Sequence, residues 1–170
     1  MPGPPGGEGS GMSQLVGSGI APLDERIGGL VPRRCYVLSG APGTGKTAAC
    51  LAFIGAAILR SEPAVILTQD DPTDLISEAH YLGLDLERAL ADERVILVRY
   101  QLDFVRRLAR AASPEVAFDE LQRLIGATKP ARVVIDSVAP LLEAGAASGA
   151  GILALLAFLA PAIVGAQAKA

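Results

Sequence analysis

The sequence predicts an α/β fold with a mostly parallel central sheet, and two observations carry this prediction. Four short apolar runs rich in β-branched residues have the composition of buried strands, at residues 35–39, 64–68, 95–98 and 132–136. Stretches compatible with helices alternate with these runs, at residues 46–60, 73–82 and 114–125. Because each strand is almost continuously apolar, we expect helices on both faces of the sheet and therefore three layers.

Composition sets the class of protein. The chain has 170 residues, of which 51% are hydrophobic and 19% charged, so one domain with a sizeable core is expected. Its net charge of -3 gives no overall attraction for phosphate backbones, and a nucleic-acid partner is therefore not expected. Cys35 and Cys50 lack metal-ligand spacing. We interpret them as small core residues in a reducing, cytoplasmic protein.

The two ends of the sequence differ from the middle. Residues 1–17 are rich in glycine and lack a signal-peptide core, so we predict a flexible leader followed by one domain at 18–170. Residues 144–168 carry no charge and exceed the roughly 20 residues of a membrane helix. Small Ala and Gly residues and Pro161 interrupt this segment, so no membrane span is expected.

A glycine-rich loop follows the first predicted strand and precedes a predicted helix. It matches the phosphate-binding pattern G-x-x-x-x-G-K-[ST] and consists of Gly40, Ala41, Pro42, Gly43, Thr44, Gly45, Lys46 and Thr47. In such a loop, backbone N–H groups surround a phosphate, and Lys46 reaches the β- and γ-phosphates. Thr47 supplies a hydroxyl to Mg²⁺. A plain glycine turn does not explain the Lys-Thr pair, so the loop predicts binding of a nucleoside triphosphate.

Carboxylates follow two of the other predicted strands. Asp136 ends the run 132–136, where ligands of α/β proteins bind, and is a candidate Mg²⁺ ligand. Asp70 and Asp71 directly follow the run 64–68. Either could orient or deprotonate a water for attack on the γ-phosphate, and either could instead cap the helix that begins near Pro72.

Residues from Val16 to about Leu142 resemble the KaiC-like branch of the RecA-type ATPases. The resemblance is carried by the lead-in Ser18-Gly19-Ile20-Ala21-Pro22-Leu23-Asp24 with Ile27-Gly28-Gly29-Leu30, by the loop, by Thr68-Gln69-Asp70-Asp71 and by Val134-Ile135-Asp136-Ser137. It implies a three-layer P-loop fold of RecA type and Mg-dependent ATP hydrolysis. It also implies that Asp70 or Asp71 activates water and that the protein self-associates into a ring or filament with nucleotide between subunits.

Two departures from the family pattern keep the alternatives open. Aspartates replace the Glu-Glu pair of the family, which shortens the reach of each carboxylate. The strand expected after Asp136 is either the short run 162–165 or missing, which would leave the sheet incomplete at its C-terminal side. The alternatives to an ATPase are therefore a nucleotide-responsive regulatory module that does not hydrolyse ATP, and a RecA-like DNA recombination ATPase.

Overall fold

The computed structural model describes residues 14–101 and 127–139. Within them the elements, in chain order, are α1 (Ala21–Ile27), α2 (Lys46–Leu59), β1 (Ala64–Thr68), α3 (Pro72–Tyr81), α4 (Leu86–Ala91), β2 (Val95–Arg99) and β3 (Arg132–Asp136). Three of the four predicted strands and two of the predicted helices are confirmed to within one or two residues. The predicted helix at 114–125 and the run 162–165 lie outside the described residues.

The three strands form a parallel sheet in the order β2-β1-β3. In this register the last residue of β1, Thr68, lies beside Arg99 of β2 and Asp136 of β3. Parallel strands end at a common edge, so the segments that follow Thr68, Arg99 and Asp136 all emerge on the same side of the sheet.

The hydrophobic core is centred on β1, whose five residues are all buried. Successive side chains of a strand point to opposite faces. Ala64 and Ile66 lie on one face and pack in a core cluster with apolar residues of α2, α3 and α4, among them Leu51, Ile54, Leu75, Ala79, Leu86 and Ala89. Val65 and Leu67, on the other face, are each 0% exposed. Both faces of the central strand are thus covered, as a three-layer α/β fold requires.

The lead-in forms a hydrogen-bonded loop around α1. The N–H of Ser18 donates to both carboxylate oxygens of Asp24, at 2.9 and 3.0 Å. These bonds lower the pKa of the Asp24 carboxyl, because they favour its charged form. Helix α1 ends at Gly28, which has a φ of 75°, and Leu30 then forms an antiparallel bridge with Val16. The Ser18–Asp24 hydrogen bonds and the Val16–Leu30 bridge therefore close the lead-in into a loop. This loop explains the spacing between the motif residues of the lead-in.

Gly19 fixes this lead-in against α2. Its φ is +85°, and a Cβ built on it would lie 2.2 Å from the carbonyl oxygen of Ala52. Only glycine permits such an approach of two backbones. The lead-in thus packs directly on the helix that follows the glycine-rich loop. Val16, which lies inside the predicted leader 1–17, forms a backbone bridge with Leu30. The boundary of the leader at residue 17 stays a prediction.

The prediction of a buried strand at 35–39 is wrong for this structure. These residues belong to no helix or strand, and Tyr36, Val37 and Leu38 are 52%, 59% and 57% exposed. Cys35 is exposed as well, which corrects its assignment to the core, whereas Cys50 is half-buried. A strand needs a paired neighbour, and among the described residues no strand pairs with the segment. Apolar composition alone does not supply that partner.

No helix in the described ranges is long and apolar enough to cross a membrane. The uncharged segment 144–168 lies outside them.

Candidate functional site

The glycine-rich loop is a compact turn that leads into the N-terminus of α2. Gly43 and Gly45 have φ values of 77° and 82°, which residues with a Cβ rarely adopt. A Cβ on Gly40 would lie 2.7 Å from the Thr44 hydroxyl, which itself donates to the Ala41 carbonyl at 2.8 Å. Each glycine of the pattern therefore has a steric reason at its position.

The N-terminus of α2 has the properties of an anion site. The helix is 14 residues long, and its N-cap residue, Gly45, makes no side-chain capping bond to the first-turn N–H groups. Unpaired N–H groups and the positive end of the helix dipole favour a phosphate at this place. The ammonium of Lys46 donates to the carbonyl oxygens of Gly40 and Ala41, at 3.0 and 2.8 Å, and so lies directly over the loop.

Asp136 ends β3 and faces α2. Burial, and then the charge of Asp136, raise the pKa of the Cys50 thiol to about 11. Thr47 precedes Cys50 by three residues, so the two side chains lie on one side of the helix, with Thr47 one turn nearer the loop. Strand β3 packs against α2, so Asp136 ends a strand that contacts the helix carrying Thr47.

The residues present fit a Mg²⁺ ion. The Oδ2 atom of Asp136 is buried, and no hydrogen-bond donor meets it among the described residues. A buried carboxylate oxygen is costly without a partner, and a cation or its bound water is a suitable one. The described ranges contain no cluster of three or more His, Cys, Asp or Glu residues.

The structure separates Asp70 from Asp71. Asp71 is the N-cap of α3 and accepts a hydrogen bond from the Thr73 N–H at 3.1 Å. Its other oxygen pairs with Arg99 at 3.0 Å. The Thr73 bonds, and then Arg99, lower the pKa of the Asp71 carboxyl. Asp71 therefore has the capping role that the sequence left open.

Asp70 is exposed at the same edge of the sheet. Its backbone N–H donates to the Thr68 hydroxyl at 3.0 Å, which fixes the turn after β1. No hydrogen bond or ion pair to its carboxylate occurs within the described parts of the chain. Of the two aspartates, Asp70 is thus the one whose carboxylate is available to a ligand or a water.

Tyr100 is a site residue that the sequence analysis missed. It directly follows β2, is 5% exposed, and its N–H donates to the Thr68 carbonyl at 2.9 Å. Its hydroxyl donates to the carbonyl of Ser137. Burial, and then the charges of Asp136 and Asp70, raise the pKa of Tyr100 to about 12, so the phenol stays protonated. Applying the strand-end rule to β2 as well as to the other strands would have identified it.

Comparison with known proteins identifies the family of this fold and loop. A family model described as "ATPase: KaiC" matches residues 16–162. The chain belongs to the KaiC ATPase family. The resemblance seen in the motifs is thereby confirmed, and with it the RecA-type P-loop fold. Membership in this family assigns the glycine-rich loop to a nucleotide-binding ATPase domain.

Individual relatives of the KaiC-like chain fall into two groups. A UPF0273 protein of Methanopyrus kandleri is 34% identical over 142 residues, which cover 75% of this chain and 55% of the relative. A UPF0273 protein of Thermotoga maritima is 30% identical over 149 residues, 76% of this chain and 58% of the relative. The circadian clock oscillator protein KaiC of Nostoc sp. is 30% identical over 119 residues, 68% of this chain and 23% of the relative. The chain therefore matches little more than half the length of the UPF0273 relatives.

Proposed function

We propose that this KaiC-like chain binds Mg-ATP at residues 40–47 and hydrolyses it, with Asp70 as the carboxylate that orients the attacking water. The observation that carries the proposal is the arrangement at one edge of the sheet. The loop is shaped for a phosphate, and Asp136 presents a buried oxygen without a partner among the described residues. Asp70 follows β1, the strand next to that of Asp136.

Each residue would act through a simple electrostatic or hydrogen-bonding role. Lys46 would exchange its bonds to the loop carbonyls for bonds to the β- and γ-phosphate oxygens, where negative charge develops. Thr47 and Asp136 would hold Mg²⁺, which when bound offsets phosphate charge. The N–H groups at the start of α2 would bind the β-phosphate.

Asp70 would act on the water, and its local contacts support this assignment over Asp71. Its main chain is fixed by Thr68, while its carboxylate is exposed and has no described partner. The Asp71 carboxylate accepts a hydrogen bond from the Thr73 N–H of α3 and pairs with the Arg99 guanidinium of β2. A group with both oxygens occupied is a poor base, because accepting a proton would break bonds that favour its charged form.

The test uses the neighbouring aspartates as matched variants, with ATP titration and steady-state phosphate release in Mg²⁺. Asp70→Asn is expected to retain ATP binding and to lose turnover by about 100-fold or more, the usual contribution of a positioned base. Asp71→Asn is expected to keep turnover within a few-fold and to lower the urea midpoint slightly, since asparagine can still cap α3 but loses the charge that pairs with Arg99. Lys46→Ala should lose both binding and turnover.

Three outcomes would contradict parts of this proposal. Loss of turnover in Asp71→Asn alone would transfer the role to Asp71. Tight ATP binding by the wild type without phosphate release would favour the nucleotide-responsive regulatory module, to which the shorter reach of aspartate also points. Absence of ATP binding would refute the proposed function altogether.

Self-association belongs to the same proposal and has its own measurement. Family resemblance implies a ring or filament with nucleotide between subunits, so ATP with Mg²⁺ should raise the mass measured by light scattering. A mass equal to one chain at all ATP concentrations that saturate binding would contradict it.

A further inference from the structure

Tyr100 connects the two outer strands of the described sheet across the end of the central one. Its backbone is held at the end of β1 by the bond to the Thr68 carbonyl, 2.9 Å long, and its hydroxyl reaches the Ser137 carbonyl beyond β3. Strands lie about 4.8 Å apart, so this side chain bridges two strand spacings, about 10 Å. The ring is 5% exposed and therefore fixed by packing.

The contact matters because of what lies next to it in the chain. Ser137 directly follows Asp136, so a bond to the Ser137 carbonyl restrains the Ser137–Val138 peptide group, one residue beyond Asp136. The Asp136 carboxylate has a buried Oδ2 without a described hydrogen-bond donor. No described hydrogen bond fixes the direction of that oxygen, so the position of the neighbouring backbone bears directly on where it points.

We propose that Tyr100 is a positioning residue of the nucleotide site, whose hydroxyl holds the Ser137 peptide and thereby aims the Asp136 carboxylate at the metal position. This inference rests on the proposed function. It adds a residue from β2 to a site otherwise built from α2, β1 and β3. It also gives the phenol a role distinct from core packing, because the ring alone could fill the space.

Tyr100→Phe separates the two roles, since it keeps the ring and removes only the hydroxyl. Tyr81→Phe is the matched control, because Tyr81 is 89% exposed at the end of α3. The first measurement is the Mg²⁺ concentration that half-saturates ATP binding, and the second is ATP affinity in EDTA. The third is the ¹³C chemical shift of the Asp136 carboxyl in nucleotide-free protein, assigned with Asp136→Asn.

For Tyr100→Phe we expect the half-saturating Mg²⁺ concentration to rise about fivefold, which is the loss of one hydrogen bond of about 1 kcal/mol. ATP affinity in EDTA should equal that of the wild type, and the Asp136 signal should move. Tyr81→Phe should change none of the three.

A wild-type Mg²⁺ requirement together with an unmoved Asp136 signal would overturn the inference. Equal loss of ATP affinity with and without Mg²⁺ would overturn it too, because that pattern reports general damage. If the wild type binds no ATP, the proposed function fails on its own. The Asp136 signal in nucleotide-free protein then still decides whether Tyr100 positions that carboxylate.

Discussion

Replacement of Gly19 by alanine tests the close contact between the lead-in and α2. An alanine at a φ of +85° costs about 1–2 kcal/mol of backbone strain. Its Cβ would also lie 2.2 Å from the Ala52 carbonyl oxygen, so the two segments must move apart, and overpacking of this kind costs about 1–3 kcal/mol. Together these terms lower the free energy of unfolding by about 2–5 kcal/mol, out of the 5–15 kcal/mol typical of a domain.

Gly83→Ala is the control for the backbone term. Gly83 has a φ of +74°, and a Cβ there would meet nothing within 4 Å, so only about 1–2 kcal/mol should be lost. Thermal unfolding followed by circular dichroism measures the Tm of both variants. At about 2–4 °C per kcal/mol, the Tm of Gly19→Ala should fall by about 10 °C, clearly more than that of Gly83→Ala. Equal losses in the two variants would refute the contact with Ala52.

Two further predictions concern ionisable groups. The pKa of Asp24 is lowered by its bonds from Ser18, so its contribution to stability is present above about pH 4 and is lost as the pH falls through the folded-state pKa. The difference in urea midpoint between wild type and Asp24→Asn should therefore shrink between pH 6 and pH 2, and a constant difference would contradict it. Cys50, with a pKa raised to about 11, should react with a disulfide reagent at pH 8 on the order of a hundredfold more slowly than an ordinary exposed thiol. Cys35→Ser leaves Cys50 as the remaining thiol for this measurement, and fast reaction of that variant would show that Asp136 and burial do not protect it.

The sequence predicted the parts of this fold that depend on local pattern. Helix α2 and strands β1, β2 and β3 agree with their apolar runs, because composition and length are local signals. The segment 35–39 has the same composition, but strand formation also requires a neighbour, which its own residues do not encode. The short helix α4 was missed for the opposite reason, since its six residues give too little periodicity to detect.

At the site, the sequence identified residue types and the structure separated their roles. The glycine-rich loop was recognised because each of its residues has a fixed chemical reason. The sequence alone does not distinguish Asp70 from Asp71. Only the contacts of Asp71 with Thr73 and Arg99 distinguish the two carboxylates. Tyr100 belongs to no motif, and although the strand-end rule points to its position, its contact with Ser137 across two strand spacings is visible only in the structure.

The strand order has a consequence for the sequence of events in folding. The pairing of β1 with β3 joins residues about twice as far apart along the chain as its pairing with β2. Contacts between distant residues form later, because a longer stretch of chain must be restrained before they can stabilise it. We therefore expect the unit that runs from α2 to β2 to assemble first, and β3, which carries Asp136, to join it later. Opening of β3 in the folded protein would accordingly remove the Asp136 carboxylate, the proposed Mg²⁺ ligand, while the core around β1 and α2 stays folded.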